Sequence, residues 1–264
     1  RDTFLASAGA RDDERPDVVL FCDTFTDRFE PENAHAALAV LRAAGYRVAI
    51  ARAAEGDAQS SRPLCCGRTW LGAGLVDEAK REARRMVEAL SPHVARGAAI
   101  VGLEPSCLLS LRDEFLAMGF GDAAVRLADR AMLVEEFLAR EHAAGRLRLP
   151  LGAIAQKRAL VHGHCHQKAF DALSPTVAML KLVPGLAVDV VESSCCGMAG
   201  SFGYEAEHHE LSMRMAELSL LPAVRAADVD TLIVADGTSC RHQIRDGAGR
   251  EALHVARVLE KALA

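Results

Sequence analysis

No stretch of the 264-residue chain supplies the ~20 consecutive apolar residues that a bilayer-spanning helix needs. The chain opens on Arg1 with the polar run RDTFLASAGARDDERP, and no secretory leader is expected. A G-x-G-x-x-G turn after a strand pattern is missing, as are a P-loop and a flavin-binding domain. No serine–histidine–acid arrangement can be defended from spacing. These absences argue against a chain that oxidises or hydrolyses a substrate alone. The formal net charge of −5 gives no reason to expect nucleic acid or an anionic membrane as partner.

Half of the residues are hydrophobic and a quarter are charged, the balance of a core-forming globular protein. The length suits one large domain or two small ones. Lys80, Arg81, Arg84 and Arg85 alternate with Glu78, Glu82 and Glu88, the pattern of a solvated helix face. Eight cysteines would suggest a disulfide scaffold in a short secreted chain, but a core of this size needs no staples. Two pairs, Cys65-Cys66 and Cys195-Cys196, are adjacent in sequence. Consecutive Cα atoms lie ~3.8 Å apart, closer than the roughly 4.4–6.8 Å of disulfide partners. Reduced intracellular thiols that hold something are the better reading.

The cysteines fall at 22, 65, 66 and 107, then at 165, 195, 196 and 240. Each half therefore reads single Cys, Cys-Cys-Gly, single Cys. The surroundings repeat as well. DVVLF leads into Cys22 and RALVHGH into Cys165; AAIVGLEPSC matches TLIVADGTSC. AALAVLRAAGYRVAIA and TVAMLKLVPGLAVDVVE each read as helix, glycine turn and strand. Pro31 opens the first of these helices and Gly45 lies beyond its end. GLVDEAKREARRMVEAL and EHHELSMRMAELSLL are helices that follow each Cys-Cys-Gly, with Met213, Met215 and Leu218 as core. Short apolar runs alternating with helices predict an α/β protein of two similar halves, each a small parallel sheet with crossover helices. A pseudo-twofold is expected to relate the halves. The expected boundaries are 1–16 linker, 17–120 first Cys-Cys-Gly repeat, 121–157 helical connection and 158–264 second repeat.

In each half all three cysteine positions follow a strand, and an open parallel sheet gathers ligands at the carboxyl ends of its strands. Three loops at that edge can bring together Cys22, Cys65, Cys66 and Cys107 in one half and Cys165, Cys195, Cys196 and Cys240 in the other. Gly67, Gly197, Gly200 and Gly203 let the backbone pass close to a bulky inclusion. Cys107 and Cys240 precede helices whose first turns favour thiolates. His162, His164 and His166 flank Cys165, and His242 follows Cys240, as loop residues, ligands or donors to sulfur. Arg68, Lys168 and Arg241 are placed to offset thiolate charge. Four thiolates suit an iron–sulfur cluster such as [4Fe-4S] or a zinc ion, and free redox-active thiols stay open. The lack of Cys-x-x-Cys hairpins favours a polynuclear group.

The phrases VHGHCHQKA, ESSCCGMAGSFGYE, EPSCLLSLRDE and DGTSCRHQI resemble the cysteine-rich Cys-Cys-Gly domain family. That family occurs twice in the cysteine-rich component of heterodisulfide reductase and in the iron–sulfur components of glycolate oxidase and anaerobic glycerol-3-phosphate dehydrogenase. The resemblance covers nearly all of the chain after residue 16. It is greatest to the C-terminal part of FAD-linked oxidoreductases similar to D-lactate or D-2-hydroxyglutarate dehydrogenases. It implies electron transfer from a reduced flavin, through iron–sulfur centres, to a quinone or other acceptor. The expected partners are an FAD-containing dehydrogenase domain and a ferredoxin-like segment. It implies a cytoplasmic location, with peripheral attachment to the inner membrane through partners. Heterodisulfide reductase has a fifth cysteine per site, where this chain has Glu104 and Gly237. Its noncubane cluster and disulfide chemistry are therefore a weaker carry-over, and a zinc docking module is the other alternative.

Overall fold

A computed structural model describes residues 3–8 and 16–264. The chain divides into two compact units, Arg1–Leu149 and Pro150–Ala264. In the first, α1 (Phe4–Ser7), β1 (Val18–Phe21), α2 (Thr24–Arg28), α3 (Pro31–Ala43) and β2 (Val48–Ile50) lead into α4 (Arg68–Gly72) and α5 (Val76–Ala95). Then come β3 (Ala99–Gly102), α6 (Pro105–Leu108), α7 (Glu114–Ala117), α8 (Asp122–Ala128), β4 (Ala131–Leu133) and α9 (Val134–Ala143). The second unit holds β5 (Arg158–His162), α10 (Cys165–Ala169), α11 (Leu173–Leu180) and β6 (Ala187–Val190). It continues through α12 (His209–Glu217), α13 (Leu220–Ala226), β7 (Leu232–Ala235), α14 (Thr238–Ala248), β8 (Ala252–Leu253) and α15 (Val255–Lys261).

Both sheets are parallel and share one strand order, β2-β1-β3-β4 and β6-β5-β7-β8. The α/β class with two similar halves is as expected. All four residues of β1 (VVLF) and of β3 (AIVG) are buried, as parallel strands covered on both faces require. Edge strand β6 (AVDV) is largely exposed, and Asp189 pairs with Arg158 of β5 at 2.8 Å. In each sheet the chain moves from the first strand to one side and then returns to the other. The crevice between the carboxyl ends of β1 and β3, and of β5 and β7, is thus a topological switch point.

Four local features differ from the sequence reading. Residues 121–157, read as a helical connection, hold α8, α9 and between them β4, which at three residues is too short to show a periodicity. Within the 1–16 linker, residues 1–2 and 9–15 lie outside the described residues. Residues 4–7 form α1, whose Phe4 is fully buried edge-to-face on His35 at 5.0 Å between ring centroids. The helix expected over EHHELSMRMAELSLL breaks into α12 and α13, because the ring of Pro222 would meet the carbonyl of Leu218 in a continuous helix. Leu218, expected in the core, is 79% exposed, while Ser212 and Ala216 face inward. Finally, Arg85 is not on a solvated face. Its guanidinium binds Asp57 at 2.8 Å, Glu82 at 3.2 Å and the carbonyls of Gln59, Arg62 and Pro63, clamping the loop before Cys65.

The burial of Phe4 predicts that Phe4→Ala destabilises the first unit by about 3 kcal/mol. Urea unfolding would read this as a lower midpoint at unchanged slope, and faster cleavage near residue 8 would accompany it.

Candidate metal centre

The Cys-Cys-Gly triplet has the same local structure twice. Gly67 and Gly197 take φ of +78° and +91°, and an added Cβ would lie 2.8 Å from the carbonyl of Ala79 and 2.2 Å from that of Ser212. Glycine is therefore required on two counts, left-handed backbone and contact with the helix that follows. The close approach is to helix backbone, which is why α12 presents Ser212 and Ala216 on that face. Gly200, at φ +71°, has open space around its Cα and serves the turn alone, while a Cβ on Gly203 would meet Ser212 Oγ at 2.5 Å. The glycine N–H donates to the sulfur two residues earlier, 3.4 Å from Gly67 to Cys65 and 3.3 Å from Gly197 to Cys195. Such N–H···S bonds favour thiolates.

In the second unit Cys165, Cys195, Cys196 and Cys240 lie close enough that the proton affinity of each is set first by another of them. Cys165 begins α10, and Cys240 lies in the first turn of α14 rather than before it. Their proton affinities split. The Cys195 thiol is pushed far down by hydrogen bonds from Cys165 and Cys196, and Cys240 is pushed down by the bond from Cys196, with His164 and His162 beside it. Cys165 and Cys196 are pushed up, because each shares its proton with a neighbouring sulfur and is partly desolvated. A cation that joined them would displace the remaining protons. The ligand atoms of His162, Cys196 and Cys240 lie within 4.8 Å of one another, as do those of His164, Cys165 and His166.

His164 caps α10, its Nδ1 accepting from His166 N at 3.1 Å, and its backbone N–H donates to Gln167 Oε1 at 3.0 Å. Its ring lies on Gly237, where a Cβ would meet Cδ2 at 2.3 Å. His166 stacks on it, with Nδ1 3.7 Å from Cys165 Sγ. His242 instead faces Tyr204, whose hydroxyl lies 2.6 Å from its Nδ1. Gln167 also donates to the buried Asp236 at 2.9 Å, which takes a further bond from Thr176 at 3.0 Å. Among the three cations, Arg68 binds Glu114 and Ser110, and Arg241 binds the Ala235 carbonyl at 2.8 Å. Lys168 is drawn on by all four sulfurs of its unit, although burial outweighs them and lowers its proton affinity.

The first unit departs from this pattern. The proton affinities of Cys65, Cys66 and Cys107 are each set first by another of these three, but no cysteine figures among the causes at Cys22. The sequence repeat pairs Cys22 with Cys165; the fold does not. Asp23 and His164 are the corresponding helix caps, so Thr24 stands where Cys165 does and Cys22 where Gly163 does. Burial, with Asp23 and Asp27 nearby, pushes the Cys22 thiol far up. Likewise Glu104, the cap of α6, replaces Gly237. Asp23 and Glu104 are both buried, and burial followed by Glu104 raises Asp23 to about 6. The bond from Cys66 lowers the Cys107 thiol, yet burial, Asp23 and Glu104 leave it at about 11.

The sequence pattern of the cysteine-rich domain (CCG) matches residues 159–245. Those residues belong to the CCG domain family. The chain is also 26% identical, over 265 residues, to a component of the anaerobic glycerol-3-phosphate dehydrogenase of Escherichia coli K12, with all of this chain covering 63% of that protein. It is 28% identical over 188 residues to the D-2-hydroxyglutarate dehydrogenase of E. coli K12, with 70% of this chain covering 18% of that protein. With lactate utilization protein A of Bacillus licheniformis the identity is 26% over 258 residues, 92% of this chain and 98% of that protein. The chain therefore spans under two thirds of the first relative and a small part of the second. The CCG domain supplies the four-sulfur set, and its thiol donors suit a thiolate-bound metal group. The sequence reading missed the exchange of Thr24 for Cys165, since counting cysteines hides a shift of two residues. The helix caps were the available signal.

Two outcomes are expected from this geometry. Gly197→Ala, with its Cβ against a helix carbonyl, destabilises the second unit by roughly 3 kcal/mol or more, and Gly67→Ala the first unit by less; paired denaturant titrations measure both. Asp23 has a folded pKa near 6, above the ordinary 3.8. The native state therefore binds the extra proton between those values, and stability falls as pH rises through that window. Asp23→Asn keeps the cap acceptor and removes that slope. It should gain on the order of 1–3 kcal/mol at pH 7, read from denaturation midpoints at pH 4 to 8.

Proposed function

We propose that the chain is an iron–sulfur electron-transfer module of a flavin-linked 2-hydroxyacid dehydrogenase, with its cluster on Cys165, Cys195, Cys196 and Cys240. The observation that carries this reading is the gathering of four thiols at the β5/β7 switch point, the proton affinity of each set first by another of them. A polynuclear group, in which each iron takes one cysteine, suits an adjacent pair joined by two single cysteines from separate loops. When bound, such a cluster takes up one electron and passes it on. The backbone N–H groups of His166, Gly197 and Met198 donate to Cys165, Cys195 and Cys196 and withdraw charge from the sulfurs. Cys165 and Cys195 are half-exposed, whereas Cys196 and Cys240 are buried. Electrons would therefore enter and leave by the Cys165–Cys195 side.

The first unit, with Thr24 in the fourth position and the carboxylates of Asp23 and Glu104 beside Cys107, is poorly suited to an anionic cluster. One cluster per chain is the resulting reading. Dehydrogenase relatives support a dehydrogenase partner; a flavin in that partner, a 2-hydroxy acid as its substrate and a quinone or other acceptor belong to the proposal through the family resemblance. Among the described residues no helix is long and apolar enough to cross a membrane. A cytoplasmic module reaching the inner membrane through its partners fits the proposal. A second reading rests on His162, Cys196 and Cys240, whose ligand atoms lie within 4.8 Å of one another and which could hold a zinc ion.

The test is iron, acid-labile sulfide and zinc per chain after anaerobic purification, with absorption spectra before and after dithionite. About four iron and four sulfide, with a visible band that bleaches, are expected. Cys195→Ser and Cys240→Ser should lose most of both, and Cys22→Ser should keep them. Stoichiometric zinc without sulfide would support the mononuclear reading and end the electron-transfer one.

A further inference from the structure

Three side chains of the second unit make a polar path that ends at the sulfurs. Lys168 Nζ donates to the carbonyl of Ser193 and, at 3.1 Å, to that of Ser194; it lies 3.4 Å from Ser193 Oγ. Ser193 Oγ is 2.9 Å from His162 Nδ1. The other ring nitrogen, Nε2, is buried without a hydrogen-bond partner. A ring nitrogen of His162 lies within 4.8 Å of the Cys196 and Cys240 sulfurs. His162 is the last residue of β5 and is only 1% exposed, so the unpaired nitrogen lies inside the protein.

Proton inventory fixes the direction of this path. An ammonium group donates and cannot accept, so Ser193 Oγ accepts from Lys168. The hydroxyl proton is then free for His162 Nδ1. A neutral imidazole that accepts at Nδ1 carries its proton on Nε2, the buried nitrogen that Ser193 does not hold.

We propose that Lys168, Ser193 and His162 form a hydrogen-bond relay that presents an N–H donor to the Cys196 and Cys240 thiolates and raises the reduction potential of the group they hold. The inference rests on the iron–sulfur reading above. A reduced cluster carries one more negative charge, and a donor to its thiolates favours that state. Lys168 adds positive charge at the far end.

The first unit is an internal comparison. Phe21 pairs with Gly102 as His162 pairs with Ala235, so Phe21 stands in the histidine's place. Pro63 stands two residues before its Cys-Cys pair, where Ser193 stands before the other. Asp27 is the fourth residue of α2, as Lys168 is of α10. Every member of the relay is thus exchanged for a residue that cannot serve, in the unit whose four-sulfur set is broken. The fold does not require the relay, and it accompanies the complete set.

The experiment is a redox titration of the anaerobically purified full chain, followed by visible absorption and electron paramagnetic resonance, with iron and sulfide measured for every variant. His162→Phe, Ser193→Ala and Lys168→Met should keep their iron and shift the midpoint potential to more negative values. His162→Gln, which retains an N–H donor, should recover most of the shift. The double variant Ser193→Ala/His162→Phe should lie no lower than His162→Phe alone, because the path is already cut at its last link. An unmoved potential in iron-loaded His162→Phe overturns the relay, as does an additive double variant. Loss of iron from both His162 variants also overturns it, making the histidine a ligand. Should a His162 variant fail to fold, Ser193→Ala alone decides: an unmoved potential rejects the relay. Zinc without iron in the parent chain removes the iron–sulfur reading and the relay together, whereas iron with unmoved potentials removes only the relay.

Discussion

Sulfurs brought into one small volume cannot all ionise unless positive charge joins them. In the second unit the conflict is visible in the protein alone. Cys195 and Cys240 are driven toward thiolate, and Cys165 and Cys196 away from it, because the proton affinity of each is set first by a neighbouring thiol. A bound metal group would relieve all four at once. The surrounding structure prepares for that charge, with N–H donors at the Cys-Cys-Gly turn, the imidazoles of His162 and His164, and Lys168 behind Ser193. The glycine at the turn is indispensable because it meets a helix carbonyl at a distance no Cβ allows.

The two units apply one topology to opposite electrostatics. Positions that carry His162, His164, Cys165 and Lys168 in the second carry Phe21, Asp23, Thr24 and Asp27 in the first. Buried carboxylates there find local work as helix caps, Asp23 with Phe25 and Thr26, and Glu104 with Ser106. The loop before the first Cys-Cys is also longer, with Cys65 fourteen positions after Ala51 and Cys195 four after Val191. Arg85 holds that loop in place through four of its residues, Asp57, Gln59, Arg62 and Pro63, a structural task that the second unit does not need.

Much of this was legible in residue order. Apolar runs such as VVLF and AIVG marked buried parallel strands, Pro31 and Gly45 bounded α3, and the repeated Cys-Cys-Gly placed the thiols after strands. Less legible were features set by partners distant in sequence. Leu218 reads as core by composition, but the helix turns small residues inward to admit the backbone of Gly197. Phe4 sits in a polar segment that reads as linker, yet its ring is buried against His35.

The amino-acid order by itself determined the α/β class, the duplication and the Cys-Cys-Gly turns, because strand patterning, glycine conformation and cysteine spacing are local properties of the chain. Only the tertiary structure decided which cysteines meet. Register and helix caps set that, and they put Thr24 in the place of Cys165 and leave Cys22 outside the sulfur set. It also decided that His162 faces sulfur while His242 faces Tyr204, since the direction of a side chain follows from the strand or helix that carries it and from what packs against it.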